Sequence, residues 1–193
     1  PGALLVLAGF CINASAFPFS AWLPDSYPES TPTGGVFLSA FTTKTAVYVL
    51  LRGFPGAEVL IWVGLFMVFY GIFFALLEND MRRILAFSIV NQVGFMVAGI
   101  GIGSELALNG AAAHAFCHII YKGLLLMSAG SVLAATGRRK CSELGGLFHS
   151  MPLTTICGSI GALAISSFPL TSGFISKSMI SQAAADGQLQ TVW

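Results

Sequence analysis

Long apolar segments alternate with short polar loops along the whole chain. Six segments stand out, and each is close to or longer than the roughly 20 residues that a helix needs to cross a bilayer. They run over residues 3–22, 33–51, 57–77, 84–102, 106–135 and 152–185. The pattern predicts an all-α polytopic membrane protein with about six transmembrane helices. The fifth segment exceeds the length of a span, so we expect it to tilt, kink or protrude.

Proline interrupts the first and the sixth segments in similar settings. Residues 15–20 read SAFPFS and residues 166–171 read SSFPLT, so Pro18 and Pro169 share their surroundings. Such a proline breaks a helix unless neighbouring elements cover the freed backbone groups. Paired, Pro-interrupted segments are typical of transporters that are built from repeated halves. We therefore predict two broken helices.

The composition agrees with a membrane protein. Of 193 residues, 55% are hydrophobic and only 9% are charged, and the mean hydropathy is +0.83. Soluble domains carry roughly 25% charged residues. A formal net charge of +1 argues against a nucleic-acid surface, which needs clustered basic residues. We expect one membrane domain over residues 1–193, cut from a longer protein because no initiating Met or leader is present.

Four widely spaced cysteines are predicted to be free thiols: Cys11, Cys117, Cys141 and Cys157. The sequence has no C-x-x-C pair, so neither an iron–sulfur site nor a zinc ribbon is indicated. A dinucleotide fingerprint, a flavin site and a catalytic triad are likewise missing from the sequence. We predict no cofactor, no metal and no catalytic residue in this chain, and any redox chemistry would belong to partner subunits.

Loop charges predict the orientation. The loops after segments one, three and five lie on the same side of the membrane. The positive charge on this side is in the loops after segments three and five. These residues are Arg82, Arg83, Arg138, Arg139 and Lys140. The opposite side has only Arg52. The positive-inside rule therefore makes the loops around Arg82 and Arg138 cytoplasmic.

Three lysines fall inside apolar segments, whereas every acidic residue falls in a loop or at a helix end. The three lysines are Lys44, Lys122 and Lys177. Embedded lysines without an embedded acid are costly unless they are neutral, hydrated or paired with groups outside this chain. We infer that the partner carboxylates lie on other helices or on a neighbouring subunit.

Two histidines join Lys122 on one face of the fifth segment. Positions 114, 118 and 122 drift only about 80° around a helix while they rise about 12 Å. Intramembrane His and Lys normally face a bundle interior or a water-filled cavity and mark an ion or proton path. With an ordinary pKa of about 6.5, His114 and His118 suit a relay between Lys44 and Lys122. In the fourth segment, Asn91-Gln92 is expected to bond across helices.

Other interpretations of these residues are open. Each could be a buried group that bonds to neighbouring helices, or a Lys that snorkels to an interface. His114 and His118 could be haem ligands, although i and i+4 on one helix crowd a single iron. A metal site with Cys117 is disfavoured because that side chain points about 100° away from His118.

Motifs over nearly the whole chain resemble one known family. The matching stretches are FPFSAWLPD at 17–25 with TPT at 31–33, TKTAVYVLLR at 43–52, DMRRILAFS at 80–88 with QVGF at 92–95, HIIYKGLL at 118–125, GGL at 145–147 with MPL at 151–153, and FPLTSGFISK at 168–177. This combination resembles the antiporter-like subunits of Mrp-type cation/proton antiporters, respiratory complex I and membrane-bound hydrogenases. The resemblance implies helices seven to twelve of a fourteen-helix fold with inverted repeats.

The resemblance also implies a function and a set of partners. In that family a hydrated central chain of Lys and His passes protons, and here Lys44, His114, His118 and Lys122 match it, with Lys177 at the exit. The implied protein resembles the D-type member of a multi-subunit Mrp-type antiporter in the cell inner membrane, working with other membrane subunits on protons and on Na⁺ or K⁺. A proton-pumping subunit of an NADH-quinone oxidoreductase or hydrogenase complex, or a non-conducting structural homologue, is the alternative.

One position departs from the family pattern. Five residues before the first break-proline the family commonly has a Lys that pairs with a Glu on its fifth helix, and here that position is Asn13. Asn cannot titrate. Either Lys44 takes over the pairing, or this member works differently or is impaired. Asn13 itself is either a water or cation ligand or a plain helix-packing residue.

Overall fold

The computed structural model describes residues 2–187, and these residues are almost entirely helical. The helices are α1 (Gly2–Asn13), α2 (Trp22–Ser26), α3 (Pro32–Phe37), α4 (Thr43–Gly53), α5 (Val59–Leu77), α6 (Met81–Ile102), α7 (Glu105–Thr136), α8 (Leu147–Ser150), α9 (Pro152–Ile165) and α10 (Ser172–Asp186). Within the described residues no strand is present, and the only β pairing is an isolated bridge between Asp80 and Lys140. The predicted all-α class is confirmed. All four cysteines are free thiols.

Four helical stretches are long and apolar enough to cross a membrane. They are Pro32–Gly53, Val59–Leu77, Met81–Ile102 and Glu105–Thr136. They correspond to the second to fifth predicted segments. Helix α7 is continuous over 32 residues, a length of about 48 Å, so it exceeds the roughly 30 Å hydrocarbon layer as expected.

The first and the sixth segments are each broken. Helix α1 ends at Asn13 and α2 begins at Trp22, and α9 ends at Ile165 before α10 begins at Ser172. Both α1 and α9 end in a Schellman motif with a serine in the left-handed region, Ser15 at φ 60° and Ser167 at φ 59°. The backbone N–H after each serine bonds five residues back, to Cys11 and Leu163 respectively. The two predicted breaks are therefore present, and they share one backbone geometry.

The left-handed serines of the two breaks do not align when the two hexapeptides are aligned; they differ by one residue. Ser15 lies three residues before Pro18, whereas Ser167 lies two before Pro169. Aligning the hexapeptides by their prolines therefore pairs Ser15 with Ser166, not with Ser167. The left-handed serine ends the helix, and the proline sits at a different point of each following turn.

Helix α6 is the centre of the bundle, and α5 packs on it at very short range. A Cβ on Gly64 would lie 2.5 Å from the backbone nitrogen of Ala98, and a Cβ on Gly71 would lie 2.5 Å from that of Asn91. Small residues at a helix interface let two backbones approach closely, and van der Waals packing then replaces the hydrophobic drive that lipid does not supply. The close packing of α5 on α6 holds the polar side chains of α6 in position.

Loops that follow alternate segments meet at one end of the bundle. The backbone N–H of Met81 donates to Arg139 O at 2.9 Å, and the guanidinium of Arg139 bonds to Asp80 at 2.7 Å and to Glu29 at 3.1 Å. At the other end, the N–H of Gly56 donates to Ile100 O at 2.9 Å. The loops after segments one, three and five therefore lie together, as the alternation of segments predicts.

Arg82 differs from its expected place among the loop charges. It lies in the first turn of α6, with only 6% of its surface exposed. Its guanidinium donates to the carbonyl of Ser30 at 2.9 Å and to that of Tyr27 at 3.4 Å. Asp80 caps the same helix end by accepting from the backbone N–H of Arg82 at 2.9 Å. Arg82 thus ties the segment after the first break to α6.

A π-helical turn, Leu38–Thr42, joins α3 to α4. Lys44 follows two residues later. Such turns insert one extra residue per turn and re-aim the side chains that follow. The hydroxyl of Ser39 inside this turn is buried and has no partner among the described residues.

Candidate functional site

Four of the six predicted site residues are buried in the bundle interior. Lys44 on α4 is 6% exposed, and the three residues of the α7 face are 0% exposed: His114, His118 and Lys122. Lys177 on α10 is half-buried. The predicted ladder on α7 therefore faces other helices and not lipid. The rings of His114 and His118 follow one another along it with centroids 6.3 Å apart.

His114 has a partner at each ring nitrogen. Its Nδ1 lies 2.8 Å from the hydroxyl of Ser176 on α10. Its Nε2 lies 3.1 Å from the side-chain oxygen of Gln92 on α6. Three helices thus hold this imidazole in place.

Gln92 is the hub of a polar network that crosses three helices. Its oxygen also accepts from the hydroxyl of Tyr121 at 3.3 Å, and its NH₂ group donates to the oxygen of Asn91 at 2.7 Å. Asn91 in turn donates to the carbonyl of Val68 on α5 at 2.8 Å. The prediction that Asn91 and Gln92 bond across helices is confirmed.

His118 lies beside this network but takes no part in it. Both of its ring nitrogens are buried, and neither has a hydrogen-bond partner among residues 2–187. Its ring meets Tyr121 edge-on at 5.3 Å between centroids. Buried polar atoms are almost always satisfied by protein or by ordered water. An imidazole with two open nitrogens is therefore the natural place for water in this site.

The two buried lysines each donate a hydrogen bond to a hydroxyl. Lys122 donates to Ser88 on α6. Lys44 donates to the neighbouring Thr43 at 3.1 Å. Lys122 follows His118 by about one turn on the same face of α7, and α4, which carries Lys44, packs against α7.

Lys177 lies at the second helix break. Its ammonium donates to the carbonyl of Ile165, the last residue of α9, at 3.0 Å. It also sits 5.3 Å from the centre of the Phe95 ring. A cation at a helix C-terminus interacts favourably with the helix dipole, and the aromatic face adds cation–π attraction. Lys177 is thus held at the break by two separate elements.

Carboxylates are absent from the surroundings of these lysines in the part of the chain that the structure describes. The ion pairs found there all join Arg to acids outside the long helices: Arg83 to Asp25 and Glu78, Arg138 to Glu143, and Arg139 to Glu29 and Asp80. The site is consequently a cluster of bases with hydroxyl, amide and ring partners. Such a cluster can take up and release protons.

Asn13 is not brought into hydrogen-bond contact with the cluster. It is the last residue of α1 and is half-buried. Three further members of the site carried no strong sequence signal: Ser88, Tyr121 and Ser176. The spacing of Ser88 and Gln92, four residues apart in an apolar helix, was the available sign of a polar face on α6.

Comparison with known proteins shows the family of this chain. A transmembrane family described as "NADH:quinone oxidoreductase/Mrp antiporter, TM" matches residues 2–193. The chain belongs to this family. The resemblance inferred from the motifs is therefore confirmed, and the chain is part of a multi-pass membrane protein.

Relatives within the family include both transporters and respiratory subunits. The chain is 34% identical over 193 residues to the A/B subunit of a probable K⁺/H⁺ antiporter of Rhizobium meliloti, covering 96% of this chain and 19% of that one. It is 35% identical over 185 residues to the N subunit of the NADH-quinone oxidoreductase of Desulforudis audaxviator, covering 90% of this chain and 37% of that one.

A solved structure has the same fold. The Mrp complex of Dietzia sp. contains a chain that matches 98% of this one with a TM-score of 0.94 and 28% identity, and 37% of that chain is covered. The present chain thus spans about a fifth to two fifths of the length of these proteins.

Proposed function

We propose that this chain is the central part of a proton path in a cation/proton antiporter-like subunit. One observation carries the proposal: Lys44, His118 and Lys122 are buried together within helices that are long enough to span a membrane, with no carboxylate beside them in the described residues. Groups of this kind are too costly in a bilayer to persist without water or a function.

Each base has a distinct role in the proposed path. Lys44 and Lys122 load and release protons, and water at the two open nitrogens of His118 connects them. Lys177, held at the α9–α10 break, is the exit. His114 is placed with Lys177, because it contacts Ser176, the residue before Lys177 on α10.

Asn13 is proposed as a water ligand at the end of α1, not as a proton carrier. The carboxylates that balance the lysines would come from helices beyond this chain or from a neighbouring membrane subunit.

The proposed context is a multi-subunit Mrp-type antiporter, with this chain taken from a member of the D type. Residues 1–193 would form one membrane domain that contributes helices seven to twelve of a fourteen-helix fold. The two Schellman-terminated breaks support a repeated architecture, because α1 and α9 end in the same way. The protein would lie in the cell inner membrane, with the loops around Arg82 and Arg138 in the cytoplasm and Na⁺ or K⁺ as the exchanged cation.

Two other functions within the family are distinguished by experiment. A proton-pumping subunit of an NADH-quinone oxidoreductase or hydrogenase complex is favoured by the similarity to the respiratory N subunit, and it would move protons only while electrons flow. A non-conducting structural homologue is favoured by Asn13, which cannot titrate, and it would move none.

The test uses the complete complex reconstituted in lipid vesicles with a pH-sensitive dye inside. A Na⁺ or K⁺ gradient should change the internal pH without quinone or another electron acceptor. Lys122→Ala should slow this change at least about tenfold, since the loss of a single embedded base interrupts the path. Arg52→Ala, an exposed base at the end of α4, is the matched control and should transport normally. Equal rates in all three proteins would remove the proposal.

A further inference from the structure

Gln92 fixes which nitrogen of His114 can exchange a proton. We propose that Gln92 is a positioning residue that keeps a proton permanently on Nε2 of His114, so that His114 exchanges protons only at Nδ1, through Ser176. His114 is then a side branch that stores a proton, and His118 alone relays between the lysines. This inference rests on the proposed proton path and refines it.

The direction of the network is set by a backbone carbonyl. The oxygen of Val68 can only accept, so the side-chain nitrogen of Asn91, 2.8 Å away, must be the donor. The Asn91 oxygen therefore points the other way, toward Gln92, which donates its own NH₂ group to it at 2.7 Å. Rotating either amide by 180° would bring two like groups together.

The side-chain oxygen of Gln92 consequently faces α7, and it can only accept. His114 Nε2 at 3.1 Å and the Tyr121 hydroxyl at 3.3 Å must both donate to it. A carboxamide oxygen has no proton to give and does not hold one. No proton can therefore enter or leave His114 through Nε2, and the hydroxyl proton of Tyr121 is committed as well.

Nδ1 of His114 meets a group that can change its role. The Ser176 hydroxyl lies 2.8 Å from Nδ1 and 3.1 Å from the carbonyl of Ser172, one turn earlier in α10. A hydroxyl has one proton, so it donates either to Nδ1 or to a backbone carbonyl of α10, which is Ser172 O or the more distant Gly173 O at 3.4 Å. With neutral His114 it points at Nδ1, and with protonated His114 it accepts from Nδ1–H and turns to Ser172.

The proton balance of this step is simple. Ser176 passes its proton to Nδ1 and takes one from a hydronium ion that reaches its oxygen, so the imidazole gains one proton, the serine gains none and the hydronium ion becomes water. The return step reverses both transfers. Each proton that reaches His114 therefore leaves on the side from which it came, which would not happen in a through-relay.

Groups from four helices face His114. The neighbours are Gln92 and Phe95 on α6, Ser176 and Lys177 on α10, Lys44 on α4, and His118 and Tyr121 on α7. His114 and Ser176 are both buried, with 0% and 1% of their surfaces exposed. His118, in contrast, has both nitrogens open among the described residues, so it can accept a proton at one and release it at the other.

The first test measures the tautomer directly. In the complete complex with ¹⁵N-labelled histidine, the difference between wild-type and His114→Gln solid-state NMR spectra isolates the His114 ring. The neutral ring should carry its proton on Nε2 and none on Nδ1. In Gln92→Leu the acceptor is gone, and a mixture of both tautomers should appear. A neutral wild-type ring with its proton on Nδ1 would overturn the inference, whether or not the Gln92→Leu variant folds.

The second test separates branch from relay by transport in vesicles. His118→Gln should reduce the rate more than about tenfold, and His114→Gln only about threefold, because a lost branch leaves the main path intact. Ser176→Ala combined with His114→Gln should be no slower than His114→Gln alone, since both act at one point. Equal losses for the two histidines, or additive losses at Ser176 and His114, would contradict the branch.

The two tests distinguish failure of the inference from failure of the proposed function. If His118→Gln and Lys122→Ala transport normally, the proton path itself is wrong, whatever the tautomer. If those variants fail to transport but the His114 ring carries its proton on Nδ1, the path stands and the role of Gln92 is wrong.

Discussion

The ammonium group of Lys122 on α7 donates a hydrogen bond to the hydroxyl of Ser88 on α6, 34 residues earlier in the chain. Lys122 is 0% exposed, and it has no acidic partner in the part of the chain that the structure covers. Its charge is thus stabilised by one neutral oxygen and by whatever water reaches it. Removal of this contact should therefore make Lys122 hold its proton less readily.

Ser88→Ala should slow proton transport by about tenfold. A hydrogen bond to a charged group is worth about 1.5–3 kcal/mol, and tenfold in rate corresponds to about 1.4 kcal/mol. Ser88→Thr keeps the hydroxyl and should transport close to normally. Ser128→Ala is a matched control, because that hydroxyl bonds to Leu124 in its own helix. The dye assay in vesicles measures all three, and a fast Ser88→Ala would show that this contact is dispensable.

Arg82→Met should lower the stability of the complex by about 2–4 kcal/mol. The carbonyls of Tyr27 and Ser30 would lose a buried, charged donor and remain unsatisfied. Arg82→Lys should recover only part of this loss, since one ammonium cannot match a planar guanidinium. Thermal unfolding followed by size-exclusion chromatography measures the shift. Arg138→Met, at an exposed position, should leave the midpoint unchanged, and an equal shift for both variants would contradict the clamp.

Glycine at the two helix breaks should have different effects. Ser167→Gly should stabilise by about 1 kcal/mol, because a left-handed φ of 59° strains a side chain and the Ser167 hydroxyl has no partner among the described residues. Ser15→Gly removes the same strain but also a buried hydrogen bond to Ser20 O at 3.1 Å, so it should gain nothing. The comparison of thermal midpoints decides this, and equal gains would show that the Ser15 hydroxyl contributes little.

Gly64→Ala should destabilise the α5–α6 pair by about 1–3 kcal/mol through overpacking against Ala98. Gly9→Ala in α1 is the matched control, because a Cβ there meets nothing within 4 Å among the described residues. The yield of intact complex in mild detergent and its thermal midpoint report the difference. An undiminished Gly64→Ala complex would mean that the two helices can move apart at little cost.

Much of the fold could be predicted because a bilayer imposes long apolar helices. The segments from 33 to 135 became helices within a few residues of their predicted ends, and both Pro-marked breaks are present. The π-helical turn at Leu38–Thr42 could not be predicted, since one extra residue in a turn leaves the apolar pattern almost unchanged. The one-residue displacement of the breaks was likewise hidden, because the left-handed position is a serine and not the usual glycine.

The site likewise contains residues that the sequence predicted and residues that it did not. Lys44, His114, His118 and Lys122 were visible because charged residues are rare in apolar segments. Ser88 and Ser176 were not, since serine is common in membrane helices and bonds to its own backbone as readily as to a partner. The sequence groups Arg82 with the loop charges because nothing near it in the chain reveals the carbonyls that surround its guanidinium.

The claim on which all this depends is that a wet path joins Lys44 to Lys122 past His118. The most direct measurement is a structure of the complete complex at a resolution that shows ordered water. Water should lie within hydrogen-bond distance of both ring nitrogens of His118, and it should continue to the ammonium groups of Lys44 and Lys122. If apolar side chains from other helices close over both nitrogens and leave no water between the two lysines, the account is contradicted.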